Sequence, residues 1–159
     1  MLKNLKRENK GFTIIEVLIV LAIAGLIMLV VFMAVPALQR NSRNTQIRSS
    51  AAALLGGVSE FVSNNNGQQP TNCNLIGNDV TFTSSVTGTN TSTARVQGGY
   101  TVACGTTVTQ PTVNGTLNVR FSAKCTGNNL STTTTNRAVA VGFVVESGSA
   151  TNPPQCVES

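Results

Sequence analysis

The 159-residue sequence predicts an α+β fold, one long N-terminal helix packed on a small antiparallel sheet. Three observations predict it. From Val17 to Leu38 the chain reads VLIVLAIAGLIMLVVFMAVPAL, 22 residues without a charge. Beyond that run, Ile47, Ala51, Leu54, Val58 and Phe61 recur at helical intervals and make one apolar stripe. The C-terminal third then changes to period 2. Leu117, Val119, Phe121, Ala123 and Cys125 alternate with Asn118, Arg120, Ser122 and Lys124, and Val139, Val141, Phe143 and Val145 repeat the pattern.

Composition narrows the function before any motif is read. Charged residues make up 11% of the chain, against about 25% in an ordinary soluble protein. There is no His, so Ser-His-Asp and Cys-His triads and His-ligated zinc are excluded. Asp79 and Glu146 are the only carboxylates between residue 61 and the tail, too few for two-carboxylate chemistry. An enzyme is not expected, and neither is a cofactor. The net charge of +5 is concentrated in residues 1–11, where Lys3, Lys6, Arg7 and Lys10 face only Glu8. Arg95, Arg120, Lys124 and Arg137 read as a solvated face, since a single Tyr gives little base stacking and nucleic acid is not an expected partner.

The basic tip abuts the apolar run. As a helix, 22 residues extend roughly 33 Å, enough to cross a hydrocarbon core of about 30 Å. The run is apolar on all sides, as a membrane span is and a surface helix is not. The preceding positive charges place the N-terminus in the cytoplasm and the rest of the chain outside. Arg40, Arg43 and Arg48 follow the run and weaken that contrast without reversing it. A secretory signal cleaved after Ala37 is disfavoured, because the run far exceeds an h-region of 7–15 residues.

The stretch Lys10-Gly11-Phe12-Thr13-Ile14-Ile15-Glu16-Val17-Leu18-Ile19-Val20 resembles the N-terminal signature of type IV pilins and the related pseudopilins. The resemblance implies a leader, residues 1–11, removed after Gly11 by a prepilin peptidase, and N-methylation of the new terminus, Phe12. It implies that Glu16, fifth in the mature chain, guides packing into a helical filament of identical subunits. An assembly platform in the cytoplasmic membrane is a further implied partner, with room for minor pilins. Gly25 and Pro36 are the candidate helix-kink positions, Pro36 lying three residues farther from the junction than the family's usual proline. The resemblance spans about the first forty residues; the remainder agrees in layout only.

Glu16 carries two physical readings. Thr13-Ile14-Ile15-Glu16 fits the S/T-x-x-E capping box, in which each residue's side chain satisfies the other's backbone amide. Alternatively, cleavage before Phe12 creates an α-amino group that is largely cationic at neutral pH. A carboxylate in apolar surroundings persists when paired, so a neighbour's terminus would fix one axial offset between subunits. The two readings can coexist.

The striped helix is expected to run to about Ser63, giving a helix over 12–63 with 12–38 as its membrane or filament-core part. Asn64-Asn65-Asn66-Gly67 ends it. Residues 64–99 read as a loop-rich linker holding at most a short strand, Asp79–Thr83, and residues 100–159 as strands and tail. Three or four antiparallel strands with one apolar face need a cover, and the helix stripe supplies it. A long helix on a meander is also what the pilin resemblance implies.

Cys73, Cys104, Cys125 and Cys156 contain no C-x-x-C pair, and on the outer side they suggest two disulfides. Three connectivities are open. Cys73–Cys104 with Cys125–Cys156 is favoured, the second tying down the C-terminal tail much as a disulfide bounds that region in pilins. Asn78-Asp79 with Glu146 is a weak calcium pattern, short of the six to eight oxygens such a site needs. The sequence therefore points to a pilus subunit, anchored in the membrane and then extracellular. The alternatives are a pseudopilin of a secretion or DNA-uptake machine and an anchored extracellular binding domain that never polymerises.

Overall fold

A computed structural model of the chain describes residues 11–132, 137–149 and 151–159, so the leader residues Lys3, Lys6, Arg7 and Lys10 lie outside the described part. The chain divides into two units, Met1–Leu38 and Gln39–Ser159. One helix, α1, spans Ile14–Asn64 and is assigned as helix through both Gly25 and Pro36. In the first unit every described residue from Gly11 to Leu38 is exposed. That segment carries exposed apolar side chains on all sides.

In the second unit, α1 presents the predicted stripe to a core. Ile47, Ala51, Leu54, Val58 and Phe61 are buried, joined by the partly buried Leu55 and Val62. The strands are β1 (Asn72–Ile76), β2 (Asp79–Thr83), β3 (Ser92–Arg95), β4 (Thr101–Gly105), β5 (Thr116–Phe121), β6 (Ala123–Thr126), β7 (Asn129–Thr132), β8 (Val139–Val144) and β9 (Pro154–Glu158). They form sheets in the orders β1-β2-β3, β4-β5-β8-β9 and β6-β7. Opposed pairs Leu117–Phe143, Val119–Val141 and Phe121–Val139 on β5 and β8 meet the helix stripe, together with Val80 and Phe82 of β2. The fold is α+β, a long helix on antiparallel and mixed sheets.

Three features differ from the sequence reading. Residues 64–99 hold a three-stranded antiparallel sheet, where the sequence predicts a loop-rich linker with at most one short strand. Each of its strands is only four or five residues long, and few of their residues are large and apolar, so the alternation is too short to register. The alternating run from Leu117 to Cys125 is two strands, divided at Ser122 by a backbone φ of 54°. Finally, β4 pairs with β5 in parallel, so the sheet is mixed. Residues 106–115 make the return connection, and Gln110 fastens it. Its amide nitrogen donates to the Phe143 and Gln155 carbonyls, and its oxygen accepts from the Leu130 amide at 2.9 Å.

The two disulfides join these parts. Cys73–Cys104 links β1 to β4, the facing edge strands of two different sheets, with a Cα separation of 5.8 Å. Cys125–Cys156 links the β6–β7 hairpin to β9, the C-terminal edge strand, with a Cα separation of 5.7 Å.

Candidate functional site

At its N-terminus α1 opens with a complete capping box. Glu16 accepts from the Thr13 amide and from the Thr13 hydroxyl at 2.8 Å each, and its own amide donates to Thr13 Oγ1 at 3.3 Å. Thr13 thus stands as the helix cap and Glu16 as the third helical residue. Phe12 lies outside the helix and is 88% exposed. A side chain at Gly11 or Gly25 would meet nothing within 4 Å. Local packing therefore demands glycine at neither position.

From Val17 to Leu38 the helix is an exposed apolar surface. The aliphatic side chains from Ile14 to Leu38 are exposed, as are Phe32 and Met33 at 75% each. The mean hydropathy of its most apolar 18-residue window is 3.2, and the segment is long and apolar enough to cross a membrane. Exposed area of this kind in water is unfavourable by roughly 25 cal/mol per Å², so the segment requires lipid or other protein around it.

In the second unit the helix carries a polar clasp. Arg43 Nε and Nη2 donate to the two Glu146 carboxylate oxygens at 2.8 and 2.6 Å. Asn44 grips the backbone of the same residue, its amide donating to the Glu146 carbonyl and accepting from the Glu146 amide. The Tyr100 hydroxyl donates to the Arg43 carbonyl at 3.3 Å. The Arg43 hydrogen bonds hold the Glu146 carboxyl below the usual carboxylate range, and in turn they raise the Arg43 guanidinium. Burial, and then the nearby Glu146 charge, push the Tyr100 phenol up. The sequence shows Arg43 and Glu146 only as separate residues, because a contact across 103 positions leaves no local signal.

The remaining candidates fall apart as sites. Asp79 pairs with Arg95 at 3.2 Å and Glu146 with Arg43, so the two carboxylates of the calcium pattern are held by different arginines. Arg120 donates to the Thr106 carbonyl, and Arg137 packs over Gly67 beyond the end of α1. Among the described residues no cluster of three His, Cys, Asp or Glu side chains is suited to a metal.

Residues 6–32 match the prokaryotic N-terminal methylation motif. The chain carries the type IV prepilin signature. No curated protein and no solved structure matches the chain. The prepilin motif ends at Phe32, so it says nothing of the second unit, whose fold and disulfides stand on their own. A motif of the pilin and pseudopilin type points to a structural protein, and the apolar helix fits a membrane-anchored precursor of an extracellular filament.

Proposed function

We propose that this chain is the structural subunit of an extracellular type IV pilus, cleaved after Gly11 and N-methylated at Phe12. The observation that carries the reading is the apolar helix within the motif, exposed over its whole described length. A single segment that needs an apolar environment on every side suits two successive surroundings. It is an anchor while lipid surrounds it and a filament core once copies of itself do. The prepilin peptidase, the assembly platform and minor pilins are the partners this reading entails.

In the proposed filament Glu16 has a second task besides capping. Apolar faces let neighbouring helices slide past one another, and an ion pair with the α-amino group of a neighbour's Phe12 selects one offset. Glu16→Gln separates the tasks, because Gln serves equally in a capping box but carries no charge. The experiment expresses Glu16→Gln as the only copy, shears and weighs surface filaments, and reads the N-terminus by mass spectrometry. The expected outcome is processed, membrane-retained protein with few or no filaments. Abundant normal filaments would leave Glu16 as a helix cap alone. A native N-terminus elsewhere, such as Leu38, would remove the pilus reading itself. Wild-type chain with a correctly cut terminus but no long filaments would favour a pseudopilin.

A further inference from the structure

We infer that a cleft in the second unit, near the end of α1, binds a neutral carbohydrate. The cleft has a volume of about 570 Å³, within the range of roughly 300–1,000 Å³ typical of small-molecule sites. It opens between the segment that follows α1 and the ends of β2, β4 and β5. Its described lining is amide, hydroxyl and hydrocarbon, with no charged side chain. Arg137 lies over Gly67 but does not line the cleft.

The hydroxyl groups are held with donors and acceptors assigned. Thr71 Oγ1 accepts the Ser85 amide at 3.0 Å, and Ser84 Oγ accepts the Val86 amide at 3.3 Å. Each oxygen is fixed as an acceptor from the backbone, so each hydroxyl proton is left to donate outward. Ser122 shows the opposite polarity. Its Oγ donates to Gln69 Oε1 at 3.3 Å, while the Gln69 amide nitrogen is anchored on the Ala138 carbonyl at 3.2 Å. The Ser122 oxygen is therefore left to accept. Exposed Gln68 adds an amide and half-exposed Val86 supplies hydrocarbon, while Phe121 lies beneath the floor as part of the core. Fixed donors and an acceptor beside an apolar patch match a sugar ring, which presents hydroxyls at its rim and C–H groups on its face. An anion would find no cationic partner in this lining.

Ser122 supplies a second observation. Its φ of 54° lies in the left-handed region, where a residue with a side chain is strained and glycine is not. Fold requirements alone would favour glycine at this break between β5 and β6. Backbone strain held in place by its surroundings is a feature of ligand-holding positions. The hydroxyl is what serine provides there and glycine would not.

The test uses the full-length, disulfide-bonded chain in detergent micelles and does not depend on whether the chain polymerises. Retention is measured on immobilised neutral glycans ending in hexose or N-acetylhexosamine, and on sialylated and sulfated counterparts. The wild-type chain should be retained by at least one neutral glycan and not by its acidic counterpart. Ser122→Gly should keep or raise the melting temperature while weakening that retention about tenfold, the loss of one hydrogen bond. Gln68→Ala, at an exposed position, should weaken retention without touching the backbone, and it decides the matter if Ser122→Gly folds poorly. No retention by any neutral glycan, preference for the acidic set, or unchanged binding by a folded Ser122→Gly would each overturn the inference.

Discussion

Gly56 and Gly57 are adjacent in α1, and the same substitution at each should change stability in opposite directions. Both weaken the helix by backbone entropy, so alanine at either gains up to about 1 kcal/mol from that source. At Gly56 a Cβ would meet nothing within 4 Å, and the gain should appear undiminished. At Gly57 a Cβ would stand 2.7 Å from the Ala94 Cβ and 2.8 Å from Phe82 Cε2. Neither neighbour yields easily, because the Ala94 Cβ moves only with the backbone of β3 and Phe82 is fully buried. Overpacking of this kind costs roughly 1–3 kcal/mol. Lifting the helix would also stretch the bond from the Ser92 hydroxyl to the Gly57 carbonyl, now 2.7 Å, for about a further 0.5–1.5 kcal/mol. Subtracting the propensity gain of up to about 1 kcal/mol leaves Gly57→Ala destabilised by roughly 0.5–3.5 kcal/mol.

Denaturant unfolding of the oxidised full-length chain in detergent, followed by near-ultraviolet circular dichroism, separates the two. Gly56→Ala should move the midpoint up and Gly57→Ala should move it down, with unchanged slope. A Gly57→Ala chain as stable as Gly56→Ala would refute the close helix-to-sheet approach on which the reasoning rests. A loss at Gly56 would refute the open surroundings assigned to it.

The clasp predicts a pH dependence. The Glu146 carboxyl titrates lower in the folded chain than in the unfolded one, so its stabilisation is complete above about pH 4.3 and fades as pH falls through the folded value. Glu146→Gln should therefore be less stable than wild type at pH 7, with the gap closing toward pH 3; a gap independent of pH would show that the charge does not matter. The disulfides predict an order of loosening. Each closes a separation of 31 residues, worth roughly 3–4 kcal/mol in the chain-entropy model. Breaking Cys73–Cys104 with a Cys→Ser pair should raise amide exchange in β1 and β4, which no ladder joins, before it does so in β5 and β8; uniform exchange would count against a seam there.

What was legible in the sequence is what local periodicity encodes. The stripe from Ile47 to Phe61 is buried because a helix in contact with one sheet must show one apolar face at 3.6-residue spacing. Likewise Leu117, Val119 and Phe121 face the core by the period of a strand. β8 holds a signal that alternation alone understates. Between Val139, Val141 and Phe143 stand Ala140, Gly142 and then Val144, with no polar residue among them, and all six are buried. A strand apolar on both faces is covered on both, and here the second cover includes Leu130 of β7 and Gln110. A Cβ on Gly142 would come within 2.7 Å of Gln110 Oε1 and 2.8 Å of Leu130 Cδ1. The pattern predicted a strand, and the small residues within it marked where another layer would lie.

The candidate sites divide along the same physical line. Thr13 and Glu16 are three residues apart, so a capping box is readable from four letters, and both sides of it form. Arg43 and Glu146 are separated by 103 positions, and nothing in the intervening sequence fixes their approach. It follows only once the core set by α1 and β8 brings the end of that strand alongside the helix. Ser122 is harder still, since an amphipathic run from Leu117 to Cys125 gives no warning that one of its residues turns left-handed. Period 2 survives the break because β6 resumes with Ala123 buried, although Ala123 lies outside the core cluster that holds Leu117, Val119 and Phe121. Where a local pattern is satisfied on both sides of an irregularity, the pattern conceals it. The residue that bears the irregularity then has a conformation its own sequence neighbourhood does not request, and what its side chain supplies there is a hydroxyl bonded to Gln69 Oε1.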